Sequence, residues 1–179
     1  YQKLDIPGEH VNSIPLPLPI KAALVMKDQA QFHPLQYLVA LVRYIAKAGG
    51  SIYENTTVVD IEKGSGLKVI TRDGHKISCN HVILASHFPF YDGTGFYFAR
   101  MYAERSYVLG IKSKDRFPRG MYINAENPTR SLRYVPLDNG KQLILIIGEN
   151  HKTGQGIPTI KHYEALQAFA QKTFSNIEI

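Results

Sequence analysis

The sharpest periodicity in the chain lies between Pro34 and Gly50, where apolar residues recur at three-and-four spacing. Leu35, Leu38, Val39, Val42, Ile45 and Ala46 fall on one face of a helix at that spacing. Pro34 suits the first helical position, where a missing N–H costs nothing, and Gly49-Gly50 supplies a left-handed C-terminal cap. A second helix is predicted over Lys161–Phe174, burying Tyr163, Leu166, Ala170 and Phe174 or their neighbours.

Elsewhere the pattern is that of strands and turns. Pro15-Leu16-Pro17-Leu18-Pro19-Ile20 can be neither helix interior nor central strand, so it reads as an extended edge or linker, followed by a short strand over Leu24–Gln29. Ile52–Glu62 is rich in β-branched residues. Leu67–Thr71 and Lys76–Cys79 flank the hairpin signal Asp73-Gly74. In His81-Val82-Ile83-Leu84-Ala85 four apolar residues run without alternation, as in a strand covered on both faces. Strands are then expected over Gly95–Tyr102, Ser106–Ile111, Gly120–Ala125, Ser131–Pro136 and Lys141–Gly148, with Asn139-Gly140 turning between the last two and a loop over His151–Pro158. The fold class read from this order is mixed α/β (α+β), mainly antiparallel mixed sheet with a few helices.

Composition narrows the classes. The 179 residues are 44% apolar and 20% charged, which excludes disordered and fibrous chains and suffices for a sizeable core. No apolar run approaches the roughly 18 residues of a spanning helix, and no targeting pattern opens the chain, so no membrane partner is expected. A single cysteine, Cys79, excludes an internal disulfide and suits a reducing, cytoplasmic compartment. The net charge of +6 favours anionic partners. The chain opens on Tyr1 and closes inside the alternation Ser175–Ile179, which reads as a piece of a longer protein.

Candidate chemistry is sparse. Cys79-Asn80-His81 has the spacing of half a Rieske cluster site, but four ligands are needed and no second cysteine exists, so no metal site is expected within the chain. Gly93-Thr94-Gly95 lacks the strand-to-helix context of a phosphate loop. No Gly-x-Ser-x-Gly elbow appears. His87 follows the apolar run where a ligand could approach, although it reads first as a loop histidine bonded to backbone. Arg100, Arg105, Tyr107, Tyr122, Arg130, Arg133 and Tyr134 lie on or beside predicted strands, and guanidinium with phenol suits an anionic or aromatic substrate. The plainer reading is a solvated basic face. Alternation places Arg133 and Val135 on one face of their strand, and Arg133 is expected to share a substrate wall with Tyr107 and Tyr122.

The stretch "FHPLQYLVALVRYIAKAGGSIYENTTVVDIEKG" followed by "LKVITRDGHKISCNHVILASH" resembles the middle of FAD-dependent oxidoreductases of the D-amino-acid-oxidase-like superfamily. "HFPFYDGTGFYFARMYAERSYVLGI" and "GENHKTG" resemble the branch that carries a C-terminal Rieske [2Fe-2S] domain. The resemblance implies a central fragment (residues 1–179) of a larger protein: flavin-side helix and strands over 33–86, substrate-domain sheet over 87–157, and a helix with the start of a strand over 158–179. It implies FAD in the intact protein, with Val58 where the family's backbone holds the adenine and Ala85, Ser86 and His87 at a small-residue turn near the cofactor. His87 stands where the wider superfamily usually has Gly. The fragment's partners would be a small-molecule substrate and the missing N- and C-terminal parts of the same chain, with no nucleic acid. Without its Rossmann part the fragment should bind no FAD tightly and be inactive. Two other readings remain: a different FAD-dependent amine- or glycerophosphate-type oxidoreductase, or a non-catalytic basic module for an anionic ligand.

Overall fold

The computed structural model describes residues 2–92 and 95–179. In chain order its elements are β1 (Gly8–Val11), β2 (Ala23–Met26), α1 (Pro34–Lys47), β3 (Val58–Lys63), β4 (Leu67–Thr71), β5 (Lys76–Cys79) and α2 (Tyr97–Arg100). There follow β6 (Glu104–Ile111), β7 (Tyr122–Ile123), β8 (Arg130–Pro136), β9 (Gln142–Lys152) and α3 (Thr159–Thr173). The class is mixed α and β with three antiparallel sheets, as the sequence predicts. Two compact units divide the chain: one joins the residues up to Lys27 with Tyr102–Ile179, the other is Asp28–Met101. Among the described residues no helix is long and apolar enough to cross a membrane.

The first unit holds the core. Its main sheet runs in the order β6-β9-β8-β7. The apolar run of β9 conceals an alternation: Ile144 and Ile146 are buried, while Leu143, Leu145 and Ile147 on the other face are only half-buried. α3 covers the first face with Leu166, Ala170 and the following Phe174, which pack with Leu109, Ile111, Phe117 and Leu132. Leu16, from the proline-rich stretch, is buried in the same core, so that segment packs on the fold instead of only linking.

Strand β9 runs past its expected end at Gly148 because of a bulge. Tyr107 pairs with Gly148 and Arg105 with His151, so Glu149 and Asn150 oppose Ser106 alone. Glu149 takes a left-handed φ of 60° there. Pairing then continues to Lys152, where a loop had been expected. The expected strand Gly120–Ala125 shrinks to the two residues of β7, and the terminal alternation makes one bridge, Lys112 to Glu178.

The second unit contains α1 and the three-stranded sheet β3-β4-β5. The helix caps as predicted, with Gly49 at φ 86°, and Gly74 takes φ 83° in the β4–β5 turn. Burial is slight: Ile61 and Thr71 are its only buried residues among those described. Two expectations fail here for one reason. His81–Ala85 forms no strand, and Ile83 is 89% exposed. Gly95–Tyr102, expected as a strand, contains the single-turn helix α2, closed by the Met101 N–H donating to the Tyr97 carbonyl. An apolar run becomes a strand only where a ladder neighbour and a covering layer exist. Neither stretch has a ladder partner among the described residues, so their backbones remain irregular or bond locally.

Candidate functional site

Register decides what each face of the main sheet can do. Arg133 pairs with Leu145, which pairs with Gly110, and Ser131 pairs with Ile147, which pairs with Val108. These residues share the face opposite α3. The floor around Arg133 is therefore apolar and half-open, with Val135 and Leu143 beside it. Arg133 Nε is buried there without a hydrogen-bond partner. A guanidinium over an apolar floor suits an anion with an apolar body, because the fork can donate in parallel to two oxygens.

Tyr107 and Tyr122 do not share this wall. Tyr107 is 4% exposed on the α3 face, in edge contact with Tyr163. Tyr122 pairs with Leu132 and packs edge-on against Phe117, its hydroxyl donating to the Arg119 carbonyl. Burial raises the pKa of the Tyr122 phenol. Strand alternation placed Arg133 correctly, but side-chain type alone could not say which face the tyrosines take.

The α3 face carries a polar cluster that sequence reasoning did not assemble. The Glu149 carboxylate bridges the Arg130 guanidinium and His162, whose Nδ1 lies 3.1 Å from Oε2. The His162 ring stacks at 4.6 Å on both Tyr107 and His151. Tyr107 and His151 are joined edge to edge, hydroxyl to Nε2 at 3.0 Å. His151 Nδ1 lies 2.8 Å from the Lys152 carbonyl, which can only accept, so Nδ1 carries a proton, and in the neutral ring Nε2 accepts from the Tyr107 hydroxyl. Burial alone would raise the Glu149 carboxyl, but hydrogen bonds from His162 and Arg130 and their charge outweigh it and hold its pKa below the ordinary value. Gly148 is required here, since a Cβ would come within 2.8 Å of the Thr129 carbonyl and 3.0 Å of Arg130 Nη1. No spacing rule joins these residues, because the β9 bulge sets their meeting. The only sequence hint is the density of polar groups in Gly148–His151, directly after an apolar strand.

In the second unit, Val58 opens β3 opposite Thr71, beside a register shift. Ala85, Ser86 and His87 form an exposed turn in which the Ser86 hydroxyl donates to the Phe88 carbonyl at 3.0 Å. His87 adopts φ 63°, the left-handed region that glycine enters without cost. Two small side chains and a turn of this shape leave the backbone approachable, which fits a dinucleotide lying close to it. Cys79 Sγ lies 3.8 Å from the Leu67 carbonyl. Among the described residues no group of three or more His, Cys, Asp or Glu is gathered as a metal would need. Gly93-Thr94-Gly95 falls partly outside the described residues.

Comparison with known proteins covers nearly the whole chain. Residues 4–179 match the model of the family described as DAO, FAD dependent oxidoreductase. Over 173 residues the chain is 51% identical to a protein of Bacillus subtilis (strain 168) provisionally named a Rieske 2Fe-2S iron-sulfur protein, YhfW. That alignment takes in 97% of this chain and 34% of the relative, so the chain spans about a third of the length of the curated protein it matches.

Proposed function

The chain belongs to the FAD-dependent oxidoreductase family, and on that premise we propose that it is the central, substrate-domain portion of a cytoplasmic enzyme that oxidises a small anionic substrate. FAD, when bound, accepts the electron pair as a hydride equivalent, while the protein orients the substrate and excludes competing reactions. Ala85, Ser86 and His87, with the backbone at Val58, are the residues of this chain assigned to the cofactor's side. Arg133 is assigned to the substrate anion, and the observation that carries this is its unpartnered Nε on a half-open apolar sheet face. Tyr107 and Tyr122 are left out of the substrate wall, since both turn to the opposite face.

The intact polypeptide carries a Rieske [2Fe-2S] domain outside this chain, which receives the electrons singly. The name of the Bacillus relative and the one-third coverage support this reading. The sparse core of Asp28–Met101 supports a further part: α1 and the His81–Ala85 run are completed by segments of the same polypeptide that the chain does not contain. The chain made alone is then colourless and inactive.

The test uses the full-length protein. It should purify with flavin and with iron and acid-labile sulfide, each measured per polypeptide. Arg133→Lys keeps the charge but removes the two-pronged geometry. It should lower kcat/KM by at least about tenfold, or about 1.4 kcal/mol, with flavin content unchanged. Wild-type kinetics in that variant would return Arg133 to a plain surface role.

A further inference from the structure

Fourteen Lys and Arg against nine Asp and Glu put +5 of the net +6 charge in the unit built on the main sheet. Much of this sits in one loop after β6. Lys112, Lys114, Arg116 and Arg119 face only Asp115 within eight residues. Asp115 is engaged within the chain: its Oδ2 accepts from the Ser175 N–H at 2.8 Å and the Ser175 hydroxyl at 2.7 Å. Those bonds hold its carboxyl below the ordinary pKa. Lys112 alone has a counter-charge, Glu178 at 3.4 Å. Lys114, Arg116, Arg119 and, on the neighbouring hairpin, Lys141 are exposed and make no ion pair among the described residues.

The loop is also held still. The Ser113 hydroxyl donates to the Ser175 carbonyl at 2.9 Å, and the backbones of Lys112 and Glu178 exchange hydrogen bonds at 2.8 and 2.9 Å. Phe117, 2% exposed, anchors the centre in the core, and the Gln142 side chain bonds both its N–H and its carbonyl. Cations on an anchored loop lose little backbone freedom when a partner arrives, so the ordering cost falls on their side chains alone. Just beyond it, Met121 and Ile123 are exposed on the edge of the sheet. Uncompensated charges on such a surface steer encounter with an oppositely charged partner.

We propose that residues 112–123 with Lys141 form a docking surface for a small acidic electron-carrier protein, a partner that rests on the oxidoreductase reading above. The carrier's carboxylates would meet Lys114, Arg116, Arg119 and Lys141. Nucleic acid suits the site less well, because the loop offers no exposed ring for base stacking: Phe117 is buried and Tyr122 is packed against it. A membrane surface suits it less well too, because the loop and the two-residue edge strand after it form no amphipathic helix.

The experiment titrates the full-length protein with an acidic [2Fe-2S] ferredoxin at low ionic strength, beside the variant Lys114→Gln/Arg116→Gln/Arg119→Gln. Circular dichroism checks the fold, and absorbance checks flavin content. Expected is a salt-sensitive complex whose Kd rises at least about tenfold in the triple variant, with substrate-driven flavin reduction unchanged. Equal affinity in the variant overturns the proposal, as does the absence of a complex at low salt. So does a loop-dependent affinity for phosphatidylglycerol vesicles or duplex DNA without affinity for the carrier. A protein that purifies without flavin would instead overturn the oxidoreductase reading, independently of how the loop behaves.

Discussion

Two helices of similar length meet opposite fates in this molecule. α1 has the cleaner apolar stripe, a proline start and a glycine cap, yet buries none of its residues. α3 has a weaker stripe and no capping side chain at its start, yet buries His162, Leu166, Ala170 and Thr173. Periodicity therefore specifies which face of a helix wants cover, while the sheet beside it decides whether cover is found. The same contrast separates β9, paired on both sides and sealed by α3, from the equally apolar His81–Ala85, which finds no ladder partner among the described residues.

The largest expected effect breaks the polar cluster under α3. Glu149→Leu leaves the largely buried Arg130 without its counter-charge and removes the acceptor of His162. Loss of one member of a fully buried pair costs about 3–5 kcal/mol, an upper bound for this largely buried one, so chemical denaturation of the full-length protein should show a lowered midpoint for this unit. An unchanged midpoint would mean that the cluster contributes nothing to holding α3 on the sheet.

The comparison of the helices themselves can be sharpened next. Leu166 is fully buried, and Leu166→Ala should cost about 2–5 kcal/mol. Leu38 is 54% exposed in this chain, and Leu38→Ala should change its stability by less than about 0.5 kcal/mol. On the proposal that further segments of the polypeptide cover α1, the same Leu38 change should become costly in the full-length protein. Amide exchange gives the same contrast without mutation, with slow exchange in α3 and fast exchange in α1 when the chain is alone. Equal protection would erase the distinction between the helices.

Acid acts on both units by a smaller margin, since the exposed Glu62 of the second unit is also held below its ordinary pKa, by its hydrogen bond from Lys76. The contrast lies in what each carboxylate supports. Glu149 and Asp115, both in the unit around the main sheet, have folded pKa values below their ordinary ones. A depressed carboxyl contributes stability that is present above its unfolded pKa and lost as pH falls through the folded value. The signals of α3 should therefore weaken as pH drops below the ordinary carboxylate range, and Glu149→Gln should flatten that dependence. A titration of near-ultraviolet tyrosine signals that is the same in both proteins would remove Glu149 from the explanation.

How much of this was legible in advance follows the same division. Local signals placed both helices, the Asp73-Gly74 hairpin and the strands around Arg133, because each rests on residues a few positions apart. The alternation in β8 also fixed the face of Arg133 relative to Leu132. What escaped were matters of long-range register. The bulge that turns Glu149 inward, and the parity that carries Tyr107 to the α3 face, depend on pairing between strands more than thirty residues apart. Resemblance supplied Val58, Ala85, Ser86 and His87, which no periodicity singles out.

The smallest expected effect tests the turn after the unpaired run in the second unit. His87 holds a φ of 63°, where a side chain with a Cβ is disfavoured and glycine is not. Relief of that strain is worth about 1 kcal/mol, part of which is offset by the greater freedom glycine gives the unfolded chain. His87→Gly should therefore stabilise the full-length protein by no more than about 0.5–1 kcal/mol. If the turn lies against the cofactor, flavin affinity should hold or rise, because the backbone keeps its shape while a bulky side chain leaves. A loss of flavin in this variant would show that the imidazole itself makes the contact, and the small-residue argument for Ala85-Ser86-His87 would then rest on Ala85 and Ser86 alone.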